Sequence, residues 1–394
     1  MSYEKALRLS EMQRAARECA RGHYYKESVS SYMRDSLCKN QRLAKEIRSG
    51  RYRTSNYYIF TIAEPKKRII CATRFRDRIF QKSICNNGVR NDLLGSLIYD
   101  NGACQRNKGV DFAIDRTITF LQKFYREHGS NNGEYIHLDI RGYFPNTPHA
   151  VSKNAARRHI KDPDEAEFVC RLIDGFPDFR DEEVIRKDPF GKRGTILGSE
   201  ISQHIQLLIP SHIDHAIKEK FRVKYYIRFN DDMILISDNG EKLKEAEEYI
   251  RSEYAKLGLQ IVTKNARSKL NRGISFLKRR IILTDTGKVI VKADPKKFGR
   301  ERRRLRKLKE KLDKGEMTME DIAAHYQSAR STLARCDEKV RVRSLDRFYK
   351  ELFGVSPPEQ KKKRGKKNAY CKSKSECRKR RGKAGKAGGG KREA

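Results

Sequence analysis

YYIRFNDDMILIS, residues 225–237, sets two adjacent carboxylates, Asp231 and Asp232, between two short apolar runs. Runs of that length, rich in β-branched and aromatic residues and broken by Asn and Asp, read as the two strands of a hairpin with the Asp pair at its tip. Alone, such a pair is ordinary turn chemistry, because Asn and Asp tolerate the backbone a tight turn needs. A third carboxylate on a neighbouring strand changes the reading. Two divalent metals about 3.5–4 Å apart need several hard oxygen ligands converging on one spot. Upstream, YIHLDI at 135–140 reads as a strand with Asp139 near its end, followed by RGYFPN at 141–146. An acid at a strand end is often a helix cap. Here Thr147 is the expected N-cap of the next helix, with Pro148 at its first position, so Asp139 is not needed for capping.

The composition fits that chemistry to a polyanion. The chain has 394 residues, room for two or three domains, and Lys and Arg outnumber Asp and Glu by 89 to 51, a formal charge of +38. An excess of that size points to nucleic acid. An anionic membrane surface is the weaker alternative, since no apolar run approaches spanning length and no signal peptide or lipidation motif is found. The nine cysteines are scattered, with no Cys-x-x-Cys pair. They read as the reduced thiols of a cytoplasmic protein, with neither a disulfide framework nor a zinc site.

Working outward, the first 50 residues carry helical spacing in Ala6, Leu7, Met12, Ala16 and Cys19, continued by Tyr32, Leu37, Leu43 and Ile47. YYIFTIA at 57–63 and IICA at 69–72 read as a hairpin around the basic turn EPKKR. Three cations on a turn are commonly just solvated; over a nucleotide triphosphate they would neutralise moving charge. Helices are expected at 73–86 and 109–124. GTILGSEISQ at 194–203 opens an apolar helix carrying Ile205, Leu207, Leu208, Ile209 and Ile213. Its glycines are either punctuation or places where backbone approaches a base pair closely. A helix at 241–256, a strand near 259–262 and a strand pair in GISFLKRRIIL at 273–283 complete a βαββαβ-like alternation. From Pro295 the chain becomes basic and helical, with Leu305, Leu308 and Leu312 on one face, a capping box at Thr318 and Asp321, and a third helix near 344–353. Residues 361–394 hold sixteen Lys/Arg against two Glu and read as a disordered, polyanion-seeking tail.

In this order the motifs resemble those of the reverse transcriptases. LDIRGYF at 138–144 is similar to the family's first catalytic motif, GTILGSEISQ to its second, and RFNDDMILI at 228–236 to its third. LGLQIVTK at 257–264 and GISFL at 273–277 resemble the later palm and primer-grip motifs, and PKKRIICATRFRDRIFQ at 65–81 the fingers motif. The match spans roughly residues 45–350, in the family's order, which is more specific than any single motif. It implies an α+β right-hand polymerase fold. An N-terminal helical segment (1–50) would precede fingers (51–134), a ferredoxin-like βαββαβ palm (135–290, with a fingers insertion at about 151–190), a helical thumb (291–355) and the disordered basic tail (356–394). Within the family, LGSEISQ looks most like bacterial retroelement enzymes of the diversity-generating type, a pattern shared with defence-associated reverse transcriptases.

The resemblance implies an RNA-directed DNA polymerase with two Mg²⁺ ions, for which Mn²⁺ can substitute. Asp139, Asp231 and Asp232 would be the catalytic metal ligands, with the carbonyl of Ile140 adding another. Lys66 and Arg68 would contact the triphosphate, and Phe144 would lie against the sugar and exclude a ribose 2′-hydroxyl. Leu197 and Gly198 would pack on the nucleotide–template pair, where Leu197, standing in place of Gln, implies looser base selection. Lys264 would be the general acid for pyrophosphate, and Phe276 and Leu277 the primer grip. Two positions depart from the pattern: Asn230 follows Phe229 rather than Tyr, and Lys278 stands where relatives usually have Gly. The implied partners are an RNA template, an RNA–DNA duplex and dNTPs, with room for a dedicated structured RNA and a small accessory protein. Other readings compete: a defence-associated reverse transcriptase with template-independent or self-primed synthesis, a catalytically inactive RNA-binding protein on a polymerase fold, and a template-independent nucleotidyltransferase or primer-making enzyme on the same palm.

Overall fold

The computed structural model of the chain describes residues 1–63, 68–196 and 198–358; Lys66, Leu197 and the basic tail from residue 359 lie outside the described residues. The chain divides into two compact units, one of Met1–Ile290 and one from Val291 onward.

In the first unit, four helices (Ser2–Ala6, Leu9–Ala20, Glu27–Arg34 and Ser36–Arg48) form from the amphipathic pattern at the N-terminus. They bury Ala6, Leu7, Met12, Ala16 and Leu43 in one core with Ile79, Phe80 and Ile84 of helix Phe75–Asn87. Phe80 meets Phe168 of helix Pro163–Asp174 edge-on, 4.8 Å between ring centres. Burying side chains of this size contributes about 1.5–3 kcal/mol each. Strands β1 (Tyr58–Ile62) and β2 (Arg68–Ala72) pair antiparallel from Tyr58↔Ala72 to Ile62↔Arg68, with all of β1 exposed.

The central sheet holds β3 (Glu134–Ile140), β4 (Tyr225–Phe229), β5 (Asp232–Ser237) and β6 (Ile261–Lys269), in the order β4-β5-β3-β6 with every pair antiparallel. Helices connect β3 to β4 and β5 to β6, and a tight turn joins β4 to β5, which is the split βαβ arrangement expected from the sequence. Alternation decides the faces. Ile136, Leu138 and Ile140 of β3, with Tyr226, Met233 and Leu235, pack on Leu243, Ala246, Ile250 and Tyr254 of helix Gly240–Lys256. That helix starts where Asn239 accepts hydrogen bonds from the backbone N–H groups of Glu241 and Lys242. The other face carries His137 and Asp139. There Tyr225 packs on Phe120 and Phe124 of helix Val110–His128, and Tyr135 Oη donates to the carbonyl of Gly273 at 3.1 Å. A hairpin of β7 (Ile274–Phe276) and β8 (Arg279–Leu283) follows, and β9 (Val289–Ala293) runs across the division between the units.

Four expectations about elements are corrected. Thr147 is not an N-cap: helix His149–His159 has Pro148 at that position, and buried Thr147 donates back to the Tyr143 carbonyl, closing the short helix Tyr143–Asn146. The apolar helix after 194–203 is two helices, Glu200–Leu208 and Ser211–Glu219, because Pro210 cannot continue the first. The strand near 259–262 runs on to Lys269, since its pairing with β3 outlasts the apolar run. The last helix begins at Lys339, earlier than its apolar pattern suggests.

The second unit packs helices Pro295–Asp313, Met319–Leu333 and Lys339–Phe353. The Thr318/Asp321 capping box forms as expected. Tyr326 stacks on Tyr349 at 4.4 Å, and Asp346 accepts from Tyr326 Oη and from the Arg330 guanidinium. Of the leucines assigned to one face, Leu305 is buried and Leu308 and Leu312 are half-buried. Among the described residues no disulfide joins the cysteines, and no helix is long and apolar enough to cross a membrane.

Candidate active site

The β4–β5 turn consists of Asn230 and Asp231, between the paired residues Phe229 and Asp232. Asn230 has φ +54°, a left-handed conformation that Asn accepts more readily than most residues. Beneath the turn, Arg228 is fully buried. Its guanidinium donates to both carboxylate oxygens of Asp214 (2.9 and 2.8 Å), to the Leu207 carbonyl (2.9 Å) and to the Asn230 carbonyl (3.2 Å). Tyr226 Oη donates to Asp214 as well, at 2.6 Å. A buried charge is tolerable only when paired and hydrogen-bonded, and here that pairing fastens the turn to helix Ser211–Glu219.

Register brings the third carboxylate in. Asp139 of β3 stands directly opposite Asp232 of β5, and the Ile140 N–H donates to the Asp231 carbonyl at 3.2 Å. One oxygen each from Asp139, Asp231 and Asp232 lies within 4.8 Å of the others. Opposed like charges destabilise a sheet unless something cationic joins them. In this structure the cation is Lys264 of β6, whose Nζ is 2.9 Å from Asp139 Oδ1 and also contacts Asp232 Oδ1. Lys264 therefore sits between the carboxylates.

The three acids are not equivalent. Burial and the charges of Asp139 and Asp232 push Asp231 up to about 6. Burial acts on Asp232 in the same direction, but hydrogen bonds from His137 and Lys264 outweigh it and hold this carboxyl below its ordinary value. Burial would lower Lys264, yet its bonds to Asp232 and Asp139 raise it. The ammonium is seated between hard, crowded carboxylate oxygens that could also hold a metal cation. The donor set suits Mg²⁺ or Mn²⁺.

Beside Asp231 opens a cavity of about 620 Å³, lined also by Arg68, Tyr143, Phe144, Asn146 and Thr195. The Phe144 carbonyl accepts from Thr195 N–H (2.9 Å) and Oγ1 (3.1 Å), and Tyr143 Oη donates to the Gln206 carbonyl. The segment bearing Phe144 is thus fixed from two sides. The far wall is braced by Arg193, which donates to the carbonyls of Asn146 (2.8 Å) and Gly258 (2.5 Å) and pairs with Asp188.

Of the residues singled out in the sequence, Asp139, Ile140, Asp231, Asp232 and Lys264 meet at the end of the central sheet, and Arg68 and Phe144 share the adjoining cavity. Gly198 does not line that cavity. It has φ +110° and borders a different crevice with Arg78 and Lys82. Phe276 is buried, and Leu277 and Lys278 form the β7–β8 turn with φ +48° and +63°. Sequence reasoning missed His137 and the Arg228–Asp214 pair. His137 lies two residues before Asp139 and so on its face of the strand; an Arg inside the apolar run YYIRF was the signal for the other.

A second convergence, Cys85 with Glu200 and His204, is unlike the first. Glu200 is already paired with Lys82 and Arg90, and burial keeps the Cys85 thiol protonated and lowers His204 to about 4. One ammonium and one guanidinium on the same carboxylate leave little for a dication.

No family model matches the chain, and no curated protein sequence matches it. Among solved structures it is similar to Candida albicans telomerase in complex with a fragment of telomeric RNA, at 10% identity and TM-score 0.43, covering 82% of this chain and 66% of that one. Apo telomerase from Candida tropicalis gives 15% identity and TM-score 0.42, over 61% of this chain and 49% of that one. A form of the latter truncated from its C-terminal domain gives 14% and 0.41, over 60% and 55%. The chain thus spans about half to two thirds of the telomerase chains it matches. These are distant likenesses, and the chemistry of the site follows from its own carboxylates.

Proposed function

We propose that the protein is an RNA-directed DNA polymerase of a bacterial or phage retroelement, copying an RNA template into cDNA. The observation that carries this reading is the convergence of Asp139, Asp231 and Asp232 at one sheet end, beside a cavity that offers a cation and an aromatic ring. Asp139, Asp231 and Asp232, with the Ile140 carbonyl, would hold the two metal ions. When bound, Mg²⁺ supplies a lowered pKa for the primer 3′-hydroxyl and charge stabilisation for the departing pyrophosphate. Arg68, at the cavity's edge, pairs with the triphosphate and keeps it in line for displacement. Phe144 fills the space beside the sugar, so a 2′-hydroxyl collides with its ring and deoxynucleotides are selected. Lys264 leaves the carboxylates and becomes free to protonate pyrophosphate.

The basic helices of the second unit suit an RNA–DNA duplex. Arg302 and Arg306 lie over the Phe348 ring, in a segment where RERRRLRKLKEKL concentrates cations. Contacts from these cations to a duplex would be with phosphate and weaken steeply with salt. The retroelement assignment is supported by the resemblance of LGSEISQ to that group. The test is primer extension on an RNA template with dNTPs and Mg²⁺. Product that disappears in Asp231→Asn supports the proposal; a native chain that never extends a primer, while still binding RNA, refutes it in favour of a binding protein.

A further inference from the structure

His137 is 5% exposed and lies in β3, on the same face as Asp139. Its Nε2 is 3.0 Å from Asp232 Oδ1, and because the carboxylate accepts, the ring N–H donates. Both hydrogen bonds to Asp232 fall on Oδ1, from His137 and from Lys264. The imidazole also meets Phe276 in an edge contact, 6.2 Å between centres at 86°. Phe276 ends β7 and pairs with Arg279 across the turn at Leu277 and Lys278. An apolar side chain would fill this buried position without the desolvation a polar ring incurs. What a histidine adds is a donor fixed in direction by strand and ring packing.

Resting on the polymerase reading of the site, we propose that His137 is a positioning residue for the metal centre. It fixes the Asp232 carboxylate through Nε2–H and ties it, through Phe276, to the β7–β8 hairpin. When Lys264 departs, His137 remains as the bond that keeps Oδ1 engaged and the second oxygen aimed outward. Outer partners of metal ligands typically contribute 10–100-fold in metal affinity. The same path makes the hairpin, which would meet the primer, a brace for a ligand.

The test measures Mn²⁺ binding to the full chain by electron paramagnetic resonance, without nucleotide, alongside kcat, KM for dNTP and thermal melting. His137→Phe keeps the ring against Phe276 and removes the donor; it is expected to weaken Mn²⁺ binding by about tenfold or more and to lower kcat, with KM near native. His137→Gln, which places an N–H donor where Nε2 lies, is expected to recover most of the loss. Phe276→Leu leaves the imidazole but not its edge contact and should weaken binding by a smaller factor. Native Mn²⁺ affinity in His137→Phe, even with a lowered melting temperature, overturns the inference in favour of simple packing. Native affinity in Phe276→Leu overturns the hairpin link. If Mn²⁺ binding by the native chain is unaffected by Asp139→Asn, the metal site itself is wrong and this inference falls with it.

Discussion

Replacing Lys264 with Met removes the cation that separates Asp139 from Asp232. Its Nζ lies 2.9 Å from Asp139 Oδ1 and contacts Asp232, and the side chain is 40% exposed. A pair of unit charges at about 4 Å is worth ~1 kcal/mol in water and ~4 kcal/mol at an intermediate dielectric. Solvent screening at this exposure puts each pair near the lower figure, or about 2 kcal/mol for the two. A metal ion has to displace that ammonium, so its removal is expected to tighten Mg²⁺ or Mn²⁺ binding by roughly 2 kcal/mol, about 30-fold. Without metal the variant should melt at a lower temperature, because the three carboxylates then face one another with no ammonium between them and only the His137 bond left on Asp232. Isothermal titration of metal into the nucleotide-free protein measures the affinity, and melting with and without metal measures the linkage. Turnover should nonetheless fall if Lys264 protonates pyrophosphate, and that opposition of tighter metal and slower chemistry separates its two roles. Unchanged or weaker metal binding would refute the view that Lys264 occupies the metal position.

Phe144→Val should raise ribonucleotide incorporation relative to deoxynucleotide, read from single-nucleotide extension; unchanged sugar selection removes the steric role. Glu165 is fully buried, accepts from Val89 N–H at 2.8 Å, and is pushed by burial up to about 7 despite its hydrogen bonds from Ser2 and Val89. Because its folded pKa lies above the unfolded value of about 4.5, the folded state keeps a proton that the unfolded chain releases, and stability declines as pH rises from about 4.5 to 7. Glu165→Gln should therefore gain about 2.5 kcal/mol over native at pH 8 relative to pH 5, measured by urea unfolding. Lys278 holds φ +63°, where glycine is unstrained. Lys278→Gly should stabilise the chain by about 1 kcal/mol and weaken primer–template binding; a melting temperature that does not rise counts against strain in the turn.

What the sequence determined was whatever local pattern can encode. Short apolar runs rich in β-branched and aromatic residues in YIHLDI and YYIRF…MILIS specified β3, β4 and β5, Asn and Asp specified the turn, and Thr318 with Asp321 specified a helix start. The resemblance of its motifs, taken in their order, pointed to the three carboxylates. Their meeting was another matter, because Asp139 and Asp232 are opposed only through the register between strands far apart in the chain. Tertiary structure alone decided that Lys264 would bridge two acids, that His137 would hold one of them against Phe276, and that Arg228 would clamp the turn from below. It also drew Thr147 away from a cap and set Gly198 outside the cavity. Each of these depends on which strand lies next to which and by what offset. Hydrophobic period and turn chemistry fix how a segment folds; burial, shared by the whole sheet, fixes which charges must then find each other.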